Sequence, residues 1–229
     1  TILQEQNSYA GVTNKLLSKQ AQKICVAYEG MERFFFILKI MLTGNPVRQG
    51  LINHNISRED AIRSFRLDPE KRTVLILGGS LGARSINQCL IENLEKIKSS
   101  GVQFIWQTGK IYFENAISAI AEAGELPMLH VTDFISDMAT AYQAADLIIS
   151  RAGAGSISEF CLLGKPVILV PSPNVAEDHQ TKNAMALVDK GAGIYVADAK
   201  AKEELVKRAI EVVCDDAKIA SLEENILSF

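Results

Sequence analysis

The chain has 229 residues, of which 48% are hydrophobic and 22% charged, with a net charge of -3. That length buries a substantial core without a disulfide or metal staple, and the charge provides no basic field for nucleic acid. The longest apolar run, FFFILKIML at 34–42, contains Lys39 and is too short to span a bilayer.

The first 43 residues predict little regular structure. TILQEQN at 1–7 reads as the end of a strand and begins without methionine, so a fragment lacking an upstream portion is expected. NKLLSKQA predicts a helix, and KICVAY and KIMLTG predict strands, together too little to bury a core of their own. GNPVR at 44–48 predicts a turn, because Pro46 disfavours helical geometry at Asn45. A domain boundary is placed there, dividing residues 1–43 from residues 44–229.

From residue 73 the pattern changes. TVLILGG (73–79), VQFIWQT (102–108), LHVTDF (129–134), DLIIS (146–150), PVILVP (166–171) and GIYVA (193–197) are short, apolar and rich in β-branched residues. Between them, positions such as Ile86, Leu90, Leu94 and Ile97 recur at helical spacing. Strands alternating with helices predict a Rossmann-like α/β fold, a parallel sheet with helices on both faces. The tail from about 202 to 228 reads as helical. Cys25, Cys89, Cys161 and Cys214 are far apart, and their apolar surroundings predict buried free thiols in a reducing compartment.

Ligands of open parallel sheets sit beyond the carboxyl ends of the strands. Four loops therefore matter: GGSLGAR, FISDM, RAGAGS and PSPNVAEDHQ. GGSLGA at 78–83 opens a helix after a strand, but the end of the next strand has Gln107 and Thr108 where a dinucleotide site wants an acid. No Lys-Ser/Thr follows these glycines either, so NAD and ATP are both disfavoured. What remains is a helix start with Ser80, suited to a phosphate, or simply a tight turn. In RAGAGSISE, Ser156 and Glu159 have capping-box spacing. A cap alone does not need the small run at 152–155, which would let a ligand approach the backbone closely. Amides there could meet a diphosphate, and Glu159 could accept from two ribose hydroxyls. Phe134 could cover a flat base whose edge the Ile135 backbone reads, or both could be ordinary core. His179 and Gln180 open another helix, and Gln180 could meet sugar hydroxyls.

GNPVR, LILGGSLGARSIN, FISDMATAYQAADLIISRAGAGSISE, GKPVILVP and EDHQTKNA occur in the order and spacing of the MurG family of bacterial glycosyltransferases, and the chain resembles that family from EQNSYAG at 5–11 to about residue 225. The resemblance implies the C-terminal domain of a GT-B fold with a remnant of the N-terminal domain. It implies an inverting hexosyltransferase that moves GlcNAc from UDP-GlcNAc to the 4-hydroxyl of MurNAc in undecaprenyl-pyrophosphoryl-MurNAc-pentapeptide. No cofactor or metal is implied, and the full protein would sit peripherally on the cytoplasmic face of the inner membrane. By motif, Phe134 and Ile135 would hold uracil with Met138 nearby, and Glu159 would bind the ribose. Ser80, Ala154, Gly155 and Ser156 would surround the diphosphate, with Arg48 as cationic partner; Arg48, Ser80 and Ser156 would stabilise the leaving group. Gln180 and His179 would contact GlcNAc, and Asn7 would approach it across the cleft.

The chain departs from the family in having Gln4 where a histidine usually precedes EQN. The family's N-terminal glycine-rich loop, with a histidine proposed as base, is absent, so this piece is expected to bind donor but to be nearly inactive alone. Two other readings stand beside this one: a UDP-GlcNAc 2-epimerase-like enzyme or glycolipid transferase, and a non-catalytic nucleotide-sugar binding subunit.

Overall fold

The computed structural model describes every residue of the chain except Asn53, His54 and Ser80. In chain order the elements are β1 (Ile2–Glu5), α1 (Val12–Leu17), β2 (Lys23–Val26), β3 (Ile40–Leu42), α2 (Arg58–Ser64), β4 (Thr73–Leu77), α3 (Arg84–Glu92), α4 (Leu94–Ser99), β5 (Gln103–Gln107), α5 (Phe113–Ala123), β6 (Leu129–Thr132), α6 (Met138–Ala144), β7 (Leu147–Ser150), α7 (Ala154–Leu163), β8 (Val167–Leu169), α8 (His179–Val188), β9 (Ile194–Tyr195), α9 (Ala201–Val213) and α10 (Asp216–Leu227).

The strands form two parallel sheets, β1-β2-β3 and β6-β5-β4-β7-β8-β9. Period-2 alternation explains how the larger sheet is covered on both faces. Val74 and Ile76, Phe104 and Trp106, and Leu147 and Ile149 point to one face, among α3, α9 and their neighbours. Leu75 and Leu77, Ile105, and Ile148 point to the other, against residues of α2, α6, α7 and α8. The helix α10 serves both, giving Ile219 and Leu222 to the first cluster and Ile226 to the second.

The first 43 residues bury more than their sequence suggests. Leu3, Ile24, Val26, Met31 and Phe35 form a small core of their own. Phe36, Ile37 and Leu38, from the FFFILKI run, are instead exposed.

Two further expectations need correction. The helix through Ile86 and Ile97 breaks at Asn93 (φ -115, ψ 18), whose amide donates to the Cys89 carbonyl at 2.8 Å. Cys214 is exposed, because it caps the end of α9 rather than lying on its buried face. The other free thiols are buried or half-buried, and burial pushes Cys89 up to about 11 and Cys161 up to about 12.

Candidate functional site

In the six-stranded sheet β4 pairs with β5 on one side and β7 on the other, so the chain order reverses between β4 and β7. Open α/β sheets place their crevice beyond the carboxyl ends of strands at such a switch. A cavity of about 430 Å³ lies there. Leu77, Gln107 and Ser150, at the ends of β4, β5 and β7, form part of its wall, together with Gly78, Gly79, Gly153 and Ser136.

The cavity collects Arg48, Phe134, Ile135, Met138, Gly155, Ser156 and Glu159 from three separate stretches of sequence. Phe134 is 52% exposed while Ile135 is buried, so Phe134 is not core. The backbone N–H of Ile135, expected to read a base edge, donates to Gln107 Oε1 at 3.3 Å. FISDM ends in a cap: Asp137 accepts from the Thr140 backbone at 3.1 Å and starts α6.

The capping box is not formed. Gly153 is the N-cap of α7 and no side chain caps the helix, so Ser156 lies inside the first turn and Glu159 beyond it. The Glu159 carboxylate turns to the crevice. Its Oε1 accepts from Arg48 Nη2 and Nε at 3.1 and 3.3 Å, and its Oε2 accepts from the Tyr142 hydroxyl at 2.6 Å. Arg48, expected on a phosphate, thus rests on the carboxylate in this structure.

Neither Gly153 nor Gly155 is demanded by packing, since a Cβ at either would meet nothing within 4 Å. Gly78 differs: a Cβ there would sit 3.0 Å from the Gln107 carbonyl and 3.2 Å from the Ala83 amide nitrogen. Gly82 and Gly109 (φ 84 and 76) interlock backbone on backbone, so part of the glycine-rich turn is structural.

Arg151, also on the cavity wall, was not assigned from the sequence. It ion-pairs with Asp198 and donates to Ser85 Oγ and the Val170 carbonyl, each at 3.0 Å. It therefore ties the ends of β7 and β8 to the start of α3. Its partners Ser85 and Asp198 lie far along the chain, and no motif in the sequence joins them to it.

Four predicted residues stand elsewhere. Ala154 is not on the cavity wall, although both its neighbours are. Gln180 Oε1 accepts from the Ser172 backbone at 2.9 Å, closing the loop before α8, which His179 begins. Asn7 accepts from Asn183 Nδ2 at 3.0 Å. Ser80 lies outside the described residues. A second cavity, about 300 Å³, is lined mostly by apolar groups and lies between the segments just past β2 and β3, with Tyr28 and Gly44, and the helices α7 and α10. Among the described residues no cluster of three or more His, Cys, Asp or Glu could hold a metal, and no helix is long and apolar enough to cross a membrane.

A parallel sheet wound on both faces, with a crevice at its switch point and a helix start opening into it, defines the doubly wound α/β class of ligand-binding domains. Within that class the chain belongs to the family described as "Glycosyltransferase family 28 C-terminal domain", whose profile matches residues 73–226. It is 74% identical, over 99% of its length, to a UDP-N-acetylglucosamine–N-acetylmuramyl-(pentapeptide) pyrophosphoryl-undecaprenol N-acetylglucosamine transferase of Phocaeicola vulgatus, and covers 60% of that protein. To the Cytophaga hutchinsonii protein of the same name it is 53% identical, over 100% of the chain and 61% of the relative. The chain thus spans about 60% of the length of the curated relatives it matches. The crystal structure of Acinetobacter baumannii MurG superposes with a TM-score of 0.73 at 29% identity, over 99% of this chain and 60% of that one. Anabaena Alr3699/HepE, in complex with UDP and glucose, shares the fold at a TM-score of 0.63 and 17% identity, over 99% and 65% of the respective chains.

Proposed function

We propose that this chain is the donor-binding portion of an inverting N-acetylglucosaminyltransferase, moving GlcNAc from UDP-GlcNAc to the 4-hydroxyl of MurNAc in undecaprenyl-pyrophosphoryl-MurNAc-pentapeptide. The observation that carries the reading is Glu159, held beside an open crevice whose far wall is Phe134 and Ile135 and whose floor is the start of α7. The relatives' names support the same donor and acceptor.

In this reading uracil lies against Phe134 and Ile135, the ribose hydroxyls donate to Glu159, and the diphosphate meets the amides at 154–156. The N-terminal end of a helix favours that negative charge. Charge grows on the departing diphosphate in the transition state, so these amides, Ser156 and Arg48 act on rate as well as binding. Arg48 is free to do so once a ribose takes its place on Glu159, since its side chain is 66% exposed. Residues 44–229 form the donor domain and residues 1–43 belong to the acceptor side; Asn7, His179 and Gln180 reach the sugar only when the acceptor is in place. The reaction needs no cofactor, and the whole protein works at the cytoplasmic face of the membrane that carries its lipid acceptor.

Titration calorimetry with UDP tests this. The chain should bind UDP, and Glu159→Ala should weaken binding by about tenfold or more, as expected for losing hydrogen bonds to a charged acceptor. Equal affinity of the two proteins would remove the ribose assignment.

A further inference from the structure

Glu159 does not fix its own orientation. Its two partners differ in how firmly they are held. Tyr142 is 3% exposed, and its ring meets Phe160 edge-on, with centroids 5.9 Å apart at 86°. Phe160 follows Glu159 on α7, so the phenol of α6 is packed against the helix that carries its carboxylate partner. Arg48 lies on an irregular segment with most of its side chain in solvent. An ion pair whose cation lies mostly in solvent is held weakly and gives way readily, whereas a buried phenol does not. Burial, reinforced by the hydrogen bond and charge of Glu159, pushes the Tyr142 pKa upward, so the hydroxyl remains a donor.

A carboxylate offers about four acceptor positions. Tyr142 occupies one on Oε2, and a ligand displacing Arg48 finds Oε1 and the rest of Oε2 facing the crevice. We propose that Tyr142 is a positioning residue, setting the plane of the Glu159 carboxylate so that the crevice selects a vicinal ribose diol over a 2′-deoxyribose. The proposal rests on the UDP reading above. Without the phenol, the carboxylate turns fully onto the Arg48 guanidinium and presents the sugar with one oxygen in place of two.

Calorimetry with UDP and with 2′-deoxy-UDP, on the whole chain, tests the proposal. The unaltered chain should prefer UDP. Tyr142→Phe should lose about five- to tenfold in UDP affinity while 2′-deoxy-UDP changes by less than about twofold, the expectation for one lost hydrogen bond. Phenylalanine preserves the ring contact with Phe160, so the fold is retained. In a Glu159→Ala background the same substitution should have no further effect on either ligand. A merely structural role would weaken both ligands equally and would persist in that background; either result overturns the proposal. An unchanged preference for UDP in Tyr142→Phe overturns it alone, and failure of the unaltered chain to bind UDP overturns it together with the reading beneath it.

Discussion

Gly155 is the residue whose identity the fold leaves unexplained and a ligand explains. It lies in the first turn of α7 with open space where its Cβ would be, and glycine costs a helix about 0.5–1 kcal/mol relative to alanine. Gly155→Ala should therefore raise the melting temperature while weakening UDP several-fold, because the new methyl enters the crevice. Scanning fluorimetry and calorimetry on one preparation give both signs. A gain in stability with undiminished UDP binding would leave the glycine without a reason. Glu159 and the small run before it were legible in the sequence, since the Ser156–Glu159 spacing fits a cap but a cap alone does not need residues 152–155. Tyr142 was not, because Met138 and Tyr142 stand at helical spacing and read as one apolar face. Its phenol acquires meaning only from Glu159, on another helix. Arg151 was hidden for the same reason: Ser85 and Asp198 lie 66 and 47 residues away.

At the scale of elements, all six strands of the larger sheet follow from short β-branched runs, and their parallel pairing from the helical segments between them. Breaks were harder to see. The Asn93 interruption depends on a side chain that bonds both its own turn and the Lys202 carbonyl, a tertiary partner that periodicity does not register. On β6, His130 stacks edge-on against Phe65 at 5.1 Å, and burial depresses its pKa below the ordinary imidazole value of 6.5. The unfolded chain then binds this proton more readily than the folded one. Stability contributed by neutral His130 is present above pH 6.5 and lost as pH falls from there toward the depressed folded value. Urea midpoints should drop on acidification through that window, and His130→Asn should flatten the dependence; an equal slope in the variant would assign it to other groups.

Across the whole molecule, the segment of the small sheet joins the large one through Tyr28, which enters the larger core, and through buried polar groups. Asn183 on α8 is fully buried, accepts from the Ser8 backbone at 2.9 Å and donates to Asn7 Oδ1 at 3.0 Å. Asn183→Leu keeps the branched side-chain outline but strands those partners, and should cost about 1–3 kcal/mol in urea unfolding. A loss below that range would mean that water replaces the amide there. Nothing in the sequence marked this seam, because an asparagine inside a helix looks like a solvent-facing residue until the loop above it is known. The path of α10 carries a different consequence. Since its early turns serve one cluster and Ile226 the other, the two sides of the sheet share a single strap. Loosening that helix at Leu227, which lies against Gly164, would therefore be felt on the far side of the sheet as well, so the two clusters should come apart together rather than one at a time.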